Sequence, residues 1–105
     1  MAQPSPMALS LDKLRGDGYL PWKTETWNSF ARIRQDLWGW CDCIGVGRAG
    51  VIAVQCTSWG EVSKRVKKIA ESESIGPVRE AGIKVVVWGW RKVGTTWECK
   101  EVDLS

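Results

Sequence analysis

The hydrophobic and polar positions of the chain change character after residue 21. Residues 1–21 hold three of the four prolines and show no clear period, and we expect a flexible lead-in there. Behind Thr24, which can cap a helix, Trp27, Phe30 and Ala31 stand at the i, i+3 and i+4 spacing of one helical face. With the acid Glu25 in its first turn, this pattern predicts a first helix that reaches about residue 35.

Extended segments follow this helix. Residues 51–57 are a continuous apolar run that then becomes polar, which is typical of a central strand covered on both faces. A turn with two glycines at 47–50 joins this run to an aromatic and β-branched segment before it. The four predicted strands cover residues 36–46, 51–57, 83–90 and 96–102.

A second helix is predicted between the central strands. Ser58 and Glu61 have the spacing of a capping box. The positions that then share one apolar face are Val62, Val66, Ile69 and Ala70. The resulting order, α-β-β-α-β-β, predicts a single α/β domain over residues 22–105, with a mixed central sheet flanked by helices.

Length and charge set limits on the function. A chain of 105 residues has the usual size of one domain. Its net charge of +3 permits a polyanionic partner without requiring one. No apolar run approaches the roughly 18 residues of a membrane helix, and no basic segment precedes an apolar one near the N-terminus. We therefore expect a cytoplasmic protein with no membrane contact that is not secreted.

The chemistry of cysteine and histidine excludes several kinds of site. The chain has no histidine, which removes histidine-based triads and histidine general bases. Cys41 and Cys43 are two apart, and Cys56 and Cys99 lie in separate segments, so the spacing does not match a zinc knuckle. Buried, reduced thiols are expected.

Eight tryptophans in so short a chain have two possible uses. Each ring can pack in the core or in an interface, and an exposed ring can stack on a nucleobase. An exposed pair such as Trp88 and Trp90 could also form a homodimer interface. The sequence leaves these alternatives open.

Candidate chemistry lies where the second predicted strand turns polar. A tight turn between neighbouring strands would bring Asp42 beside Gln55 and Thr57, which project to the same face of their strand. Together with the carbonyl of Cys56, these groups offer only oxygen ligands, which suit magnesium or manganese. The alternative is a polar network at a strand end that binds no ion.

Residues 40–69, WCDCIGVGRAGVIAVQCTSWGEVSKRVKKI, resemble the core motif of the PD-(D/E)xK nuclease superfamily. That superfamily includes restriction enzymes, Holliday-junction resolvases and small phage-borne nucleases. Its members carry an aspartate on one strand, an acid-x-lysine motif on the next and then a basic helix. Asp42 matches the aspartate, while Gln55 and Thr57 replace the second acid and the lysine. Glu25 could match an acid that many members carry on the preceding helix.

The resemblance implies a restriction-endonuclease-like fold and a magnesium- or manganese-dependent hydrolysis of DNA phosphodiesters. The implied metal ligands are Asp42, Gln55, the Cys56 carbonyl and Glu25, with Asp36 or Glu61 as further carboxylates. The implied catalytic residues are Asp42, Gln55, Thr57 and Lys64, and Arg65 or Lys68 could also replace the missing lysine. The implied DNA-binding residues are Lys64, Arg65, Lys67, Lys68, Arg91 and Lys92.

Three hypotheses follow from these observations. The first is a nuclease or resolvase-like enzyme that acts on DNA. The second is a DNA-binding or interaction module that kept the nuclease fold without catalysis, since Gln55 lacks one negative charge and Thr57 lacks the cation. The third is a tryptophan-rich assembly protein that does not bind DNA. Related small nucleases are commonly dimers, so a homodimer is a further expectation.

Overall fold

A mixed five-stranded sheet with helices on both faces forms the centre of the fold. The structure, a computed structural model, describes residues 3–105. A 3-10 turn at Trp59–Glu61 lies between β5 and α2. In chain order the elements are α1 (Pro6–Gly16), β1 (Leu20–Lys23), β2 (Thr26–Asn28), β3 (Ile33–Gln35), β4 (Cys43–Gly47), β5 (Gly50–Ser58), α2 (Val62–Ala70), α3 (Ile75–Glu80), β6 (Lys84–Val93) and β7 (Thr96–Asp103).

The sheet has the strand order β1-β4-β5-β6-β7. Only β5 and β6 are parallel, and the crossover between them carries α2 and α3. The other neighbours are antiparallel, and β2 and β3 form a separate hairpin. The predicted α/β class with a mixed sheet flanked by helices is thus confirmed. No helix within residues 3–105 is long and apolar enough to cross a membrane.

The apolar run in β5 is buried on both faces, as its composition predicts. Successive side chains alternate, so Val54 joins a core layer under α1 while Ala53 joins the layer under α2. Leu14 of α1 is fully buried in the first layer and Ile69 of α2 in the second. The sheet is therefore enclosed at its centre, and its polar positions lie towards the strand ends.

Gly89 lets the start of α2 approach the sheet closely. A β-carbon at this position of β6 would collide with the side chain of Val62 and come within 3.2 Å of the Cα of Trp59. Any larger residue would push the 3-10 turn and α2 away from the strand. This close packing fixes where the first turns of α2 lie relative to the end of β5.

The predicted flexible lead-in was wrong for much of its length, because α1 and the start of β1 lie within residues 1–21. Ser5 caps the helix by accepting from the amide of Ala8 at 3.1 Å, and Pro6 stands in its first turn. Serine followed by proline is a helix start signal, since the missing N–H is not needed there. A proline here thus marks the start of a helix, although a cluster of prolines also fits a flexible segment.

The predicted first helix was also wrong, because its residues form the hairpin β2–β3. The Oδ1 of Asn28 accepts from the amides of Phe30 and Ala31, both at 3.0 Å, and Arg32 has a φ of 54°. A short polar side chain that binds nearby amides competes with the helix for those donors. The i, i+3, i+4 pattern therefore arose from a turn.

The later elements match the predictions with shifted ends. Residues 36–42 form a loop, so the first predicted strand begins only at Cys43. The second predicted helix is confirmed as α2, but Ser58 makes no side-chain capping bond, because a 3-10 turn intervenes. β6 continues to Val93, beyond the predicted end at residue 90.

The tryptophans divide between the core and the surface. Trp40 and Trp88 are buried, so the expectation that Trp88 helps form a dimer interface was wrong. Trp90 is half-buried, and its Nε1 donates to the Oγ of Ser10 at 2.9 Å. Trp27 remains 62% exposed, a fraction that leaves its ring open to a partner.

Candidate metal centre

The candidate site lies at an edge that β5 leaves open. The ladder between β4 and β5 ends where Cys43 pairs with Val54. Because β5 is nine residues long and β4 only five, the end of β5 has a neighbouring strand on the β6 side alone. The amide of Cys56 instead donates to the Oδ2 of Asp42 at 2.9 Å. The carboxylate therefore takes the place of the missing strand.

Asp42 and Gln55 form a direct pair in this position. The Nε2 of Gln55 donates to the same Oδ2 of Asp42 at 2.6 Å. Both side chains are buried, with 5% and 2% exposure. The other amide atom, the Oε1 of Gln55, is buried and has no hydrogen-bond partner among residues 3–105. One acceptor at the site is therefore left for a ligand.

Glu25 reaches the site through the backbone of Asp42. The carbonyl of Asp42 accepts from the amides of Thr24 and Glu25, at 2.9 and 3.1 Å. The hydroxyl of Thr24 also donates to the carbonyl of Cys41 at 2.7 Å. These bonds hold the segment after β1 against the start of β4, although Glu25 lies on no helix.

Asp36 enters from the loop between β3 and β4. The backbones of Leu37 and Cys41 bond to each other in both directions, at 3.0 and 2.8 Å, and so close the loop. Trp40 secures the loop from the other side by donating from Nε1 to the Oγ of Ser74 at 2.8 Å. One carboxylate oxygen each from Glu25, Asp36 and Asp42 consequently lies within 4.8 Å of the others.

These groups line a cavity of about 740 Å³ that combines acids with cations. Arg65 reaches it from α2, and its Nε is buried without a partner among the described residues. The acidic lining residues are Glu25, Asp36 and Asp42, the cationic ones are Lys23, Arg34 and Arg65, and the uncharged polar ones include Gln55 and Thr57. Arg34 pairs with Glu25 at 3.1 Å and is 75% exposed.

Burial raises the pKa of Asp42 from 3.8 to about 7. Loss of water around the carboxylate is the largest cause, and the nearby charges of Asp36 and Glu25 act in the same direction. The hydrogen bond from the Cys56 amide opposes the rise but does not cancel it. The carboxylate is thus held in a place that disfavours its charge unless a cation binds beside it.

The structure brings together most of the predicted site. Asp42, Gln55, Cys56 and Thr57 line one cavity, and Glu25 lies beside them. Thr57 projects to the same side as Gln55 and is 6% exposed. Asp42 stands immediately before β4, whereas the sequence had placed it near the middle of a strand.

Among the predicted cations, Arg65 lines the cavity, whereas the helix lysines lie outside it. Lys64 is 81% exposed and lies 3.6 Å from Glu61, so it does not reach the position expected of a catalytic residue. Lys67 and Lys68 are likewise exposed and do not line the cavity.

The two predicted cations of β6 also lie outside the cavity and contact neighbours on the surface. Arg91 stacks 3.8 Å from the ring centre of Trp59 and pairs with Glu98 at 2.9 Å. Lys92 donates to the side chain of Gln3 at 3.3 Å. These contacts leave Arg65 as the one predicted DNA-binding residue that faces the site.

Sequence reasoning gave too little weight to Asp36 and missed Lys23, Trp27 and Arg34 as lining residues. Trp27 and Arg34 face each other across the hairpin, which the prediction of a helix hid. Asp36 directly follows that hairpin, so its approach to Asp42 depended on the same error. No family model matches this chain, and no curated protein or solved structure matches it.

Proposed function

We propose that this protein is a metal-dependent nuclease with a restriction-endonuclease-like fold that hydrolyses phosphodiester bonds in DNA. The observation that carries the proposal is the buried Oε1 of Gln55, which has no hydrogen-bond partner among residues 3–105 and lies beside the carboxylates of Asp42, Asp36 and Glu25. Buried acceptors are normally satisfied, and carboxylates normally keep apart. A divalent cation among them would resolve both departures at once.

The donor set fits magnesium or manganese. All the candidate ligands are oxygens, from Asp42, Asp36, Glu25, Gln55 and the carbonyl of Cys56. Magnesium prefers carboxylate and carbonyl oxygens and commonly retains several waters, for which the cavity has room. Gln55 adds a neutral ligand where a carboxylate would add charge, so we expect weaker binding than at an all-acid site.

The order of elements around the site supports the nuclease fold. Asp42 precedes β4, a tight turn leads into β5, and Gln55 and Thr57 stand near the end of β5. Helix α2 follows and sends a cation, Arg65, to the same cavity. This is the sequence of parts, an aspartate, a hairpin, a second polar pair and a basic helix, that the resemblance to the superfamily implies.

The residues divide the work of hydrolysis between them. When bound, the metal would lower the pKa of a coordinated water and offset negative charge on the phosphate. Glu25 and Asp36 can accept hydrogen bonds from that water and orient it. Arg65 can donate to a phosphate oxygen and stabilise the charge that grows during attack, as the absent lysine would. The water oxygen bonds to phosphorus and gives up a proton to Glu25 or Asp36, the bond to the ester oxygen breaks, and that oxygen takes up a proton from solvent.

One observation favours a second function, a DNA-binding module without catalysis. The end of β5 carries Thr57 where a lysine would be needed, and Lys64 points away from the cavity. In that case the site binds no metal or binds it without cleavage, and the cationic groups hold DNA by its phosphates alone.

Calorimetry and cleavage together separate the two functions. We expect manganese to bind wild type and not the variant D42N, and linear or branched DNA labelled at one end to be cut only when both metal and Asp42 are present. The variant D12N is the matched control, since Asp12 is exposed and pairs with Arg15 on the surface of α1. Metal binding without cleavage by wild type would favour the DNA-binding module. Absence of metal binding would remove the nuclease proposal.

Homodimer formation stays a prediction. It depends on the resemblance alone, now that Trp88 is known to lie inside the protein. Sedimentation equilibrium over a range of protein concentrations gives the mass directly, and a monomer at all concentrations would contradict it.

A further inference from the structure

The hairpin β2–β3 exposes large apolar side chains, and one of them, Trp27, lines the cavity of the metal centre. Phe30 at its turn is 101% exposed, Trp27 is 62% exposed and Ile33 is 49% exposed. Each would normally contribute to a core, because a large apolar side chain stabilises a protein when it is removed from water. Here none of the three is buried against the sheet, so the hairpin presents them to solvent.

The hairpin is held in this arrangement by polar contacts. The Oδ1 of Asn28 fixes the turn by accepting hydrogen bonds from the amides of Phe30 and Ala31, and its Nδ2 donates to the Oε1 of Gln35 at 3.4 Å. The pair between Arg34 and Glu25 ties the hairpin to the segment that carries the acids. Isolated two-stranded hairpins are only marginally stable, so these contacts help to hold the two strands in this arrangement.

Charge accompanies the aromatic surface. Trp27 and Arg34 are directly paired across the two strands, so both side chains project to one face. Both line the cavity that holds Asp42, and Lys23 lines it too. Arg34 keeps most of its donors available, since a guanidinium has five N–H groups and it is 75% exposed.

We propose that the hairpin binds the unpaired nucleotides of single-stranded DNA, with bases stacked on Trp27 and Phe30 and phosphates held by Arg34 and Lys23. The inference rests on the proposed nuclease function and adds the substrate class to it: DNA with a single-stranded segment next to the scissile bond. The strand would run from the hairpin into the cavity, because Trp27 belongs to both.

The chemistry of the surface favours a single strand over a duplex. Every base has an apolar face that can stack on an aromatic ring, but in a duplex these faces are already covered by neighbouring bases. A duplex offers mainly phosphates to such a surface, for which exposed aromatic rings give no benefit. The combination of open rings with cations thus matches a strand that presents both bases and phosphates.

Binding is tested without metal, so that cleavage plays no part. A fluorescein-labelled oligothymidine and a duplex of equal length are titrated with protein in EDTA, and the anisotropy gives each dissociation constant. We expect the variant W27A to bind oligothymidine about 5- to 150-fold more weakly, the range that loss of one base-stacking contact produces. F30A should also bind it more weakly, and W27F should recover most of the affinity.

The matched control is W22A, because Trp22 is 72% exposed yet does not line the cavity. We expect W22A to bind oligothymidine as wild type does and all variants to melt at the wild-type temperature. Equal binding by W27A and wild type would overturn the inference, as would equal losses for duplex and single strand. The inference would also be overturned if the protein does not bind oligothymidine but associates with itself in a concentration-dependent way that W27A abolishes. The hairpin would then serve protein contacts.

The two proposals fail in different ways. If oligothymidine binding depends on Trp27 but the protein never cuts DNA with manganese, the nuclease proposal fails and the proposed role of the hairpin stands. If cleavage depends on Asp42 but the W27A variant binds oligothymidine normally, the proposed role of the hairpin fails and the nuclease proposal stands.

Discussion

The acid cluster should make the metal-free protein less stable as the pH rises. Asp42 has a pKa of about 7 in the folded protein and an ordinary value near 3.8 when unfolded. Between these values the folded state retains a proton that the unfolded state has lost, so the free energy of unfolding falls with rising pH. It levels off above pH 7, where both states are ionised.

The size of the effect follows from the pKa difference. Each pKa unit corresponds to about 1.4 kcal/mol, so a rise of about three units predicts a loss of about 4 kcal/mol between pH 4 and pH 8. That is a large share of the 5–15 kcal/mol that typically stabilises a domain. Histidine adds nothing in this window because the chain has none, and the lowered pKa of Asp103 acts only near and below pH 4.

The substitution D42N isolates this carboxylate. An amide oxygen can still accept from Gln55 and from the Cys56 amide, but the side chain no longer titrates. We expect D42N to match wild type near pH 4.5 and to exceed it by up to about 4 kcal/mol at pH 8. Its free energy of unfolding should be flat between the two.

Urea denaturation followed by tryptophan fluorescence, in EDTA at several pH values, measures this directly. A wild-type stability that stays constant or rises from pH 4.5 to 8 would refute the reasoning. So would a D42N variant that shows the same pH dependence as wild type, since the slope would then come from another group. The control D12N should keep the wild-type slope.

Three further predictions test the packing around the site. G89A should lose about 1–3 kcal/mol of its free energy of unfolding, because the added β-carbon collides with Val62 of α2. G60A should keep the wild-type stability, because a β-carbon there meets no atom within 4 Å, and thermal melts compare the two variants. S74A should lose about 1–3 kcal/mol of its free energy of unfolding, because the substitution leaves the buried indole N–H of Trp40 unpaired. Urea denaturation measures this loss. Burial raises the pKa of Cys41 to about 12, so this thiol should react with a thiol reagent at pH 8 only after unfolding. Rapid labelling of Cys41 in the native protein would contradict this.

The part of the fold that the sequence predicted well is the part governed by burial. The apolar run at residues 51–57 identified β5, and its change to polar residues located Gln55 and Thr57 at one end of the sheet. A glycine turn then sufficed to bring Asp42 beside them, because a tight hairpin leaves little choice of register. Strong patterns over a long segment thus placed Gln55 and Thr57 on their strand correctly and Asp42 beside them, although Asp42 precedes its strand.

The N-terminal third was predicted poorly because its local signals conflict. Pro6 suggested disorder although it begins α1. Trp27, Phe30 and Ala31 have helical spacing, although Trp27 lies in β2 and Asn28 holds Phe30 and Ala31 in the turn that follows. The hairpin buries little apolar surface, so the periodicity of its residues reports no core contact. The approach of Asp36 depends on this hairpin and on the loop behind it, and no short-range pattern indicates either.

The metal proposed for the acid cluster can be tested through the energetics of the cluster, independently of the resemblance. A polar network that serves only the fold would satisfy its members. Within the described part of the chain, however, Gln55 keeps a buried acceptor without a partner, and Asp42 faces Glu25 and Asp36. An asparagine at position 42 could make the same hydrogen bonds with no charge to desolvate. If manganese stabilises wild type at pH 8 and leaves D42N unchanged, the destabilising carboxylate serves binding, since a ligand at a hundred times its dissociation constant adds about 2.7 kcal/mol. If manganese stabilises neither, the site is a strained polar network and the nuclease proposal loses its support.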